Sequence, residues 1–315
     1  MRRRRFFAWG LGVAACAAGC GTERLIGGAP GLRSEFSINP AGRRWDRVGQ
    51  AFASAARASG YQTGAGTRIT LTGLPALAAA ELNNGQTPLD TATPLSRLAG
   101  DVEVVVVPGN SRFKDFDEFG AHLLARPGET LLAGGPQGAP DHLLFGLIAK
   151  GLGADTRQVD YTGYPASQEV AAALLSGDVA AGAGLLADWR ESIRKGRVRA
   201  LAVSCAVRVP DLDVPTLLES GVRVDFADWT AAFGPDDMPD GSREAAIRMC
   251  EDVTGSTSWQ AACRASGWIS IPLSGDDFRR WLASEVARTR AVLRDLGLVD
   301  TTKATTCWGS CGNGH

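Results

Sequence analysis

The residues best suited to chemistry fall at three glycine-rich turns. These are Asn39-Pro40-Ala41-Gly42-Arg43-Arg44-Trp45-Asp46, Gly134-Gly135-Pro136-Gln137-Gly138-Ala139-Pro140-Asp141-His142, and Tyr161-Thr162-Gly163-Tyr164-Pro165-Ala166-Ser167. Glycine lets backbone N–H groups approach a ligand and adopt positive φ. A helix starting at such a turn aims unpaired N–H groups and a partial positive charge at the same point. That combination suits a carboxylate or a phosphate. No Gly-Lys-Ser/Thr stands at phosphate-loop spacing, so a nucleotide loop is not indicated. One such turn is only a turn; three at successive strand ends point to a site.

The side chains at these turns each have two readings. Arg43 and Arg44 offer planar, charge-assisted hydrogen bonds to an anion. Solvated arginines are the plainer reading, yet the positive end of a helix disfavours cations, so their placement asks for a reason. Trp45 and Tyr164 suit either a ligand's carbon skeleton or the core. His142 is a donor to a carboxylate, or else a buried, satisfied ring behind a capping Asp141. The charged run Arg279–Arg294 reads as a solvated helix face.

The seven cysteines cluster in three places. Cys250 and Cys263 lie on consecutive predicted helices, twelve residues between them, which makes a hairpin disulfide plausible in an oxidising compartment. Cys205 reads as a buried free thiol. Cys307, Cys311 and His315 form Cys-x3-Cys-x3-His, three soft ligands without a local fourth. A small disulfide loop or an unstructured tail over 301–315 is the simpler reading, and no metal is assigned.

The N-terminus reads as an address. Met1-Arg2-Arg3-Arg4-Arg5 precedes a short apolar run ending in small residues, as in an export signal over residues 1–19. Arg3-Arg4-Arg5-Phe6-Phe7 is similar to a twin-arginine signal. Ala17-Ala18-Gly19-Cys20 resembles a lipobox, in which Cys20 would be lipidated and become the new N-terminus. Val13-Ala14-Ala15-Cys16 is the rival box, and ordinary signal cleavage with incidental cysteines is the third reading. Cleavage before Cys20 removes four arginines and no acid, leaving 29 basic against 34 acidic residues and a net charge of −5. That balance speaks against nucleic acid as a partner.

Strand and helix patterns must position the turns. Ser34–Asn39, Arg68–Thr72, Val102–Pro108, Thr130–Ala133, Val159–Thr162, Val179–Ala181 and Val198–Val203 read as strands. Helical segments at 44–59, 115–125, 141–152, 167–176 and 186–195 alternate with them. Beyond Gly234 the pattern turns mostly helical, at 242–254, 258–266 and 276–296, around a short strand Ile269–Ile271. Such alternation predicts an α/β fold with largely parallel sheets and ligands at the strand ends.

At this point the chain resembles a family. Thr93-Pro-Leu-Ser-Arg-Leu98, Val104–Pro108, the turn ending in Asp141-His142-Leu143, and Val159-Asp-Tyr-Thr-Gly163 occur in order. Ala173-Leu-Leu-Ser-Gly-Asp-Val179, Gly196–Val203, Val214-Pro-Thr216 and Glu219-Ser-Gly221 follow. Their order and spacing resemble the Bug family, the extracytoplasmic solute-binding proteins of tripartite tricarboxylate transporters. The resemblance implies a two-lobed, type II periplasmic-binding-protein-like α/β fold. Lobe 1 would span 30–106 plus 234–300 and lobe 2 would span 107–233, with crossings near Val107 and Phe233. It also implies a small organic anion clamped by hinge closure, transporter membrane subunits as partners, and neither cofactor nor catalysis.

Carried over residue by residue, the ligand set is Pro40, Gly42 and Asp46, with Arg43, Arg44 and Trp45 replacing the family's glycine-rich end. The second turn contributes Gly134, Gly135, Gly138, Asp141 and His142; the third contributes Tyr161, Gly163, Tyr164 and Ala166. Gly184 stands near a position usually polar. A turn, helix and strand that the family has between Leu71 and Thr93 are shortened here. An anchored hydrolase or transferase is the rival class, without a Gly-x-Ser-x-Gly elbow or helical metal pair to support it. A ligand-free sensor or scaffold is the third. The anchor has a direct test. Radioactive fatty acid is expected to label the wild type and not Cys20→Ala; label that persists in Cys20→Ala moves the anchor to Cys16, and an unlabelled wild type rejects it.

Overall fold

The computed structural model describes residues 34–299. The expected signal with Cys16 and Cys20, and the tail with Cys307, Cys311 and His315, lie outside the described residues. The first part of the chain forms β1 (Glu35–Pro40), α1 (Asp46–Ala58), β2 (Gln62–Thr63), β3 (Thr67–Gly73), α2 (Leu74–Leu82), α3 (Pro88–Thr91) and β4 (Thr93–Asp101). Then come β5 (Glu103–Pro108), α4 (Phe116–Ala125), β6 (Leu132–Gly134), α5 (Pro140–Leu152), β7 (Tyr161–Gly163) and α6 (Ser167–Ser176). β8 (Ala181–Leu185), α7 (Leu186–Arg194) and β9 (Val198–Val203) follow. The chain ends in β10 (Asp228–Gly234), α8 (Asp240–Gly255), α9 (Thr257–Ser266), β11 (Trp268–Ser274) and α10 (Gly275–Asp295).

The strands make two sheets, ordered β11-β4-β10-β3-β1-β2 and β7-β6-β8-β5-β9. Both are mixed rather than largely parallel. β10 runs antiparallel to β3 and β4, and β5 runs antiparallel to β8 and β9. In the first sheet the antiparallel pairs come from β4 and β10, which the sequence reading missed along with the short β2, whereas in the second sheet β5 was read but its direction was not. The β4 and β10 sequences, TPLSRLAGD and DWTAAFG, have neither clean alternation nor an unbroken apolar run. The passage between sheets falls at Val102, and the return falls between Val203 and Asp228. β5 therefore belongs wholly to the second sheet and β10 to the first, whereas crossings near Val107 and Phe233 would have divided them otherwise.

Alternation along β5 sets the second core. Val105 and Val107 pack with α4 and α5 residues such as Phe119 and Leu144, while Val104 and Val106 pack with α6 and α7 through Leu174 and Trp189. On the first sheet, Phe36, Ile69 and Leu71 meet Phe52 of α1 and Trp259 of α9. The other face of β10 presents Trp229 and Phe233 to Phe278 and Leu282 of α10. This last cluster continues into the second sheet's helices, because Leu143 and Phe145 of α5 belong to it with Leu74 and Leu77 of α2. Gly146 leaves room for Val292 and Leu296, and Lys150 meets Asp295 at 2.6 Å. Glu81 of α2 takes Arg290 of α10 in a bidentate pair at 2.7 and 2.9 Å.

The edge of the first sheet carries an unusually short link. β2 and β3 both pair parallel with β1, one on each side, linked only by Gly64-Ala65-Gly66. Parallel strands ordinarily need a crossover of a dozen residues or more. Here the link slips past the start of β1. Gly66 has φ 78°, and a Cβ there would overlap the carbonyl oxygen of Glu35. Between Gly73 and Thr93 the described chain has only α2 and α3. Ser37, Asn39, Arg68 and Thr70, on one face of β1 and β3, consequently line surface cavities.

Cys250 and Cys263 are separate thiols, both buried in the core of the first sheet, and not the expected disulfide. Packing each inward from its own helix serves the core without a bond. Cys205 is likewise a buried free thiol. No helix among the described residues is long and apolar enough to cross a membrane. The link makes a sharp prediction. Gly66→Ala should cost about 2–4 kcal/mol from positive φ and overlap together, read as a fall of roughly 4–12 °C in Tm. Gly241→Ala, with open space around it, should leave Tm nearly unchanged.

Candidate functional site

The three turns converge only in part. After β1 the chain makes a tight turn over Arg43–Trp45 before α1. Arg44 reaches from it to Asp228 of β10, forming an ion pair. Trp45 lines a cavity of 150 Å³ with Arg47, Asp101, Leu185, Asp228, Thr230 and Trp268. Pro40 packs against Gly49 of α1 instead. Gly42, Arg43 and Asp46 are exposed and do not line this cavity.

The second turn is held by its own side chains. Gly135 N–H donates to Asp141 Oδ2 at 2.5 Å, and the Tyr161 hydroxyl donates to Gly135 O at 2.6 Å. Gly138, at φ 78°, donates its N–H to His142 Nδ1 at 3.1 Å and packs on Leu82 of α2. The His142 ring stacks on Tyr161, centroids 4.0 Å apart and 4° from parallel. Burial pulls His142 down to about 4, so the ring is neutral and its Nδ1 is already an acceptor. His142 is therefore a buried brace of the loop rather than a donor facing a ligand. Burial also pushes the Tyr161 phenol up, which keeps it a donor.

Tyr164 N–H closes onto Gly134 O at 2.8 Å, joining the second and third turns. Gly163 fits against the backbone of Gly135 and Gln137, and Gly134 fits beneath Tyr161 and Asp141. Gly135, Asp141, Tyr164, Ala166 and Gly184 then line a cavity of 400 Å³. Arg44 crosses from the first sheet to reach this wall, and Arg44 and Leu185 line both cavities. Two helices begin at the larger cavity, α5 after Ala139 and α6 after Ala166, and neither has a side-chain cap. The first N–H groups of α6 are donors an anion would use, whereas α5 opens on Pro140, which has no N–H, with the Asp141 carboxylate on its first turn.

The electrostatics of the floor were not foreseen. Asp101 ends β4, Glu103 begins β5, and Asp228 begins β10 opposite Asp101. Burial raises Asp101 to about 7, with Asp228 adding to it. Burial raises Asp141 to about 6 against the pull of the Gly135 N–H. Asp228 is raised by burial although Arg44 opposes it. Glu103 is 0 % exposed. Neither of its carboxyl oxygens has a hydrogen-bond partner. Burial first, then Asp141 and Asp228, hold its carboxyl well above the usual range. The warning in the sequence was Asp101-Val102-Glu103 running straight into Val104–Val107, since a carboxyl in a segment destined for burial asks for a purpose. Among the described residues no three His, Cys, Asp or Glu side chains are placed to hold a metal ion.

Comparison with known proteins bears on residues 49–298, which match the family described as the tripartite tricarboxylate transporter family receptor. The chain is 30% identical over 213 residues to Protein BugT of Bordetella pertussis, covering 66% of this chain and 64% of that one. It is 31% identical over 175 residues to a UPF0065 protein from the tcbD-tcbE intergenic region of Pseudomonas sp., covering 55% and 50%. The chain thus spans under two thirds of these relatives' lengths. Among solved structures, a TctC solute binding protein from Polaromonas is similar at TM-score 0.66 and 18% identity, covering 83% of this chain and 97% of that one. MatC from Rhodopseudomonas palustris, solved with malate, matches at TM-score 0.58 and 18% identity, covering 86% and 100%. A second R. palustris protein, solved with adipate, matches at 0.62 and 20%, covering 85% and 98%.

The buried carboxyls fix the sign of a pH effect. Between an ordinary glutamate value and the raised one, folded Glu103 holds a proton that the unfolded chain has lost. Its contribution to stability therefore falls as pH rises through that window. Glu103→Gln is expected to melt with the wild type near pH 4.5 and increasingly above it as pH rises toward 8. A Tm difference that stays constant with pH would contradict this.

Proposed function

The chain belongs to the tripartite tricarboxylate transporter receptor family, and from that premise we propose that it captures a small carboxylate outside the cytoplasm and delivers it to the membrane subunits of such a transporter. The observation that carries this reading is the uncapped start of α6, opening into the larger cavity with Arg44 opposite. Backbone N–H groups there are fixed by the fold and need no reorganisation when an anion arrives. Malate and adipate in two proteins of the same fold are carboxylates of a size that supports this class.

The receptor reading extends to the whole molecule. The lobes are the two sheets with their helices, and closure bends the chain at Val102 and over 204–227. Gly135, Asp141, Tyr164, Ala166 and Gly184 form one wall and Arg44 and Trp45 the other. Pro40, Gly134, Gly138, His142, Tyr161 and Gly163 hold the turns in shape. A lipid on Cys20 tethers the receptor to the outer face of the membrane. Binding and release need no catalytic group, so we read the protein as a receptor and not as an enzyme.

Ser167→Pro provides the test. Proline fits the first helical position, and the preceding Ala166 is extended at φ −147° and ψ 153°. The substitution removes one N–H and leaves α6 intact. A thermal-shift panel of dicarboxylates, tricarboxylates, aromatic acids and amino acids is expected to give a saturable rise without turnover. Ser167→Pro should weaken that ligand about 10- to 100-fold, as for one charged hydrogen bond. Turnover would favour a hydrolase or transferase, and no rise with any acid would favour a scaffold.

A further inference from the structure

We infer that the first sheet carries a second binding site, on the face turned away from the cleft, for a small carboxylate with an apolar body. Alternation along β10 separates the two sites. Asp228 and Thr230 line the cavity beside Trp45, whereas Trp229 between them points to the opposite face, where α10 packs. There a cavity of 320 Å³ is lined by Arg97 of β4, Trp229, Ile269 and Ile271 of β11, and Trp281 and Glu285 of α10. A mostly apolar wall with a few placed polar groups is the usual make-up of a small-molecule site.

Arg97 supplies the charge. Its guanidinium lies over the Trp281 ring, 4.3 Å from the centroid, and its Nε donates to the Ile271 carbonyl at 2.8 Å. Stacking uses the flat face of the group, while hydrogen bonds are made at its edge. Held by the strand carbonyl and by the indole, the side chain keeps both Nη groups for an acceptor. Among the described residues no carboxylate pairs with it. Arg97 is half-buried, and burial pulls it below the usual arginine value against the effect of Glu285 and Asp225. An arginine fixed in place, half out of water and without an acid partner is a fork that fits one carboxylate.

The acids nearby do not fill that role. Glu285 is 4 % exposed and accepts from Trp229 Nε1 at 3.3 Å and from Arg288 at 2.8 Å. Arg288 also donates to the Asp225 carbonyl at 3.3 Å. Glu285 and Arg288 therefore balance each other and stiffen the wall. Asp225 stands at the exposed rim, where water and salt screen its charge. Ile269, Ile271 and Trp281 are all half-buried and turn apolar surface to the same cavity. A bare carboxylate would leave that surface to water, whereas a ring or short chain attached to it covers the surface and gains by doing so.

Matched probes decide it. Calorimetry would compare phenylacetate with phenylacetamide and hexanoate with hexanamide, with acetate as the acid lacking an apolar body. In at least one pair the acid is expected to bind with a Kd of about 1 mM or tighter, and about tenfold or more above its amide. Arg97→Gln removes the charge, and Ser284→Glu sets an acid on the exposed lining without touching the core. Each, folded by circular dichroism and melting, should shrink the preference to about threefold or less. Ser167→Pro, in the cleft, should leave it unchanged. No binding by either acid up to about 10 mM overturns the inference, as does a preference unchanged in both Arg97→Gln and Ser284→Glu. A preference lost in Ser167→Pro instead places the acids in the cleft and overturns the second site while the receptor stands. Acetate binding as tightly as the larger acids overturns the apolar part.

Discussion

The structure turns on one electrostatic constraint, the burial of carboxyl groups where the chain passes between its two sheets. Asp101 and Glu103 flank Val102 at that passage, and Asp228 stands beside them on the returning strand. Arg44, from the turn after β1 of the same sheet as Asp228, supplies the ion pair. The start of α6 on the second sheet brings the opposite sign to the neighbouring cavity. The glycine turns then serve chiefly to bring backbone close, and their side chains, such as His142 and Tyr161, are spent on holding that backbone still.

Much of the architecture was legible in the sequence, and its failures have physical causes. Helices with capping or apolar periodicity, such as Ser167–Ser176, and strands with dense β-branched residues, such as Val198–Val203, match the structure to the residue. β4 and β10 were invisible because their burial comes from neighbouring strands in the middle of the sheet, not from local pattern. Missing them displaced the lobe crossings. The candidate site divides the same way. Turn geometry pointed to Gly135, Asp141 and Ala166, while Asp101, Glu103 and Asp228 come from distant segments assembled by the sheets. The cysteine spacing misled because two helices in a hairpin can each face a core without their sulfurs meeting.

The first sheet shows how short a link between two strands beside the same neighbour can be. Three residues do the work of a crossover, and the uncovered sheet face carries hydroxyls, an amide and an arginine in place of apolar side chains. The α1, α8 and α9 side keeps its aromatic core around Phe52 and Trp259, which meet edge to face at 5.6 Å. The other face is packed as well where Trp229 and Phe233 of β10 meet Phe278 and Leu282 of α10, so only its β1–β3 part lacks an apolar cover.

The apolar cluster shared by α2, α5 and α10 has a mechanical meaning. Those helices bolt the two halves together along one flank, with the Lys150–Asp295 and Glu81–Arg290 pairs at its edge. A clam riveted along one side is hinged there, so motion of one sheet against the other would open the flank away from these pairs.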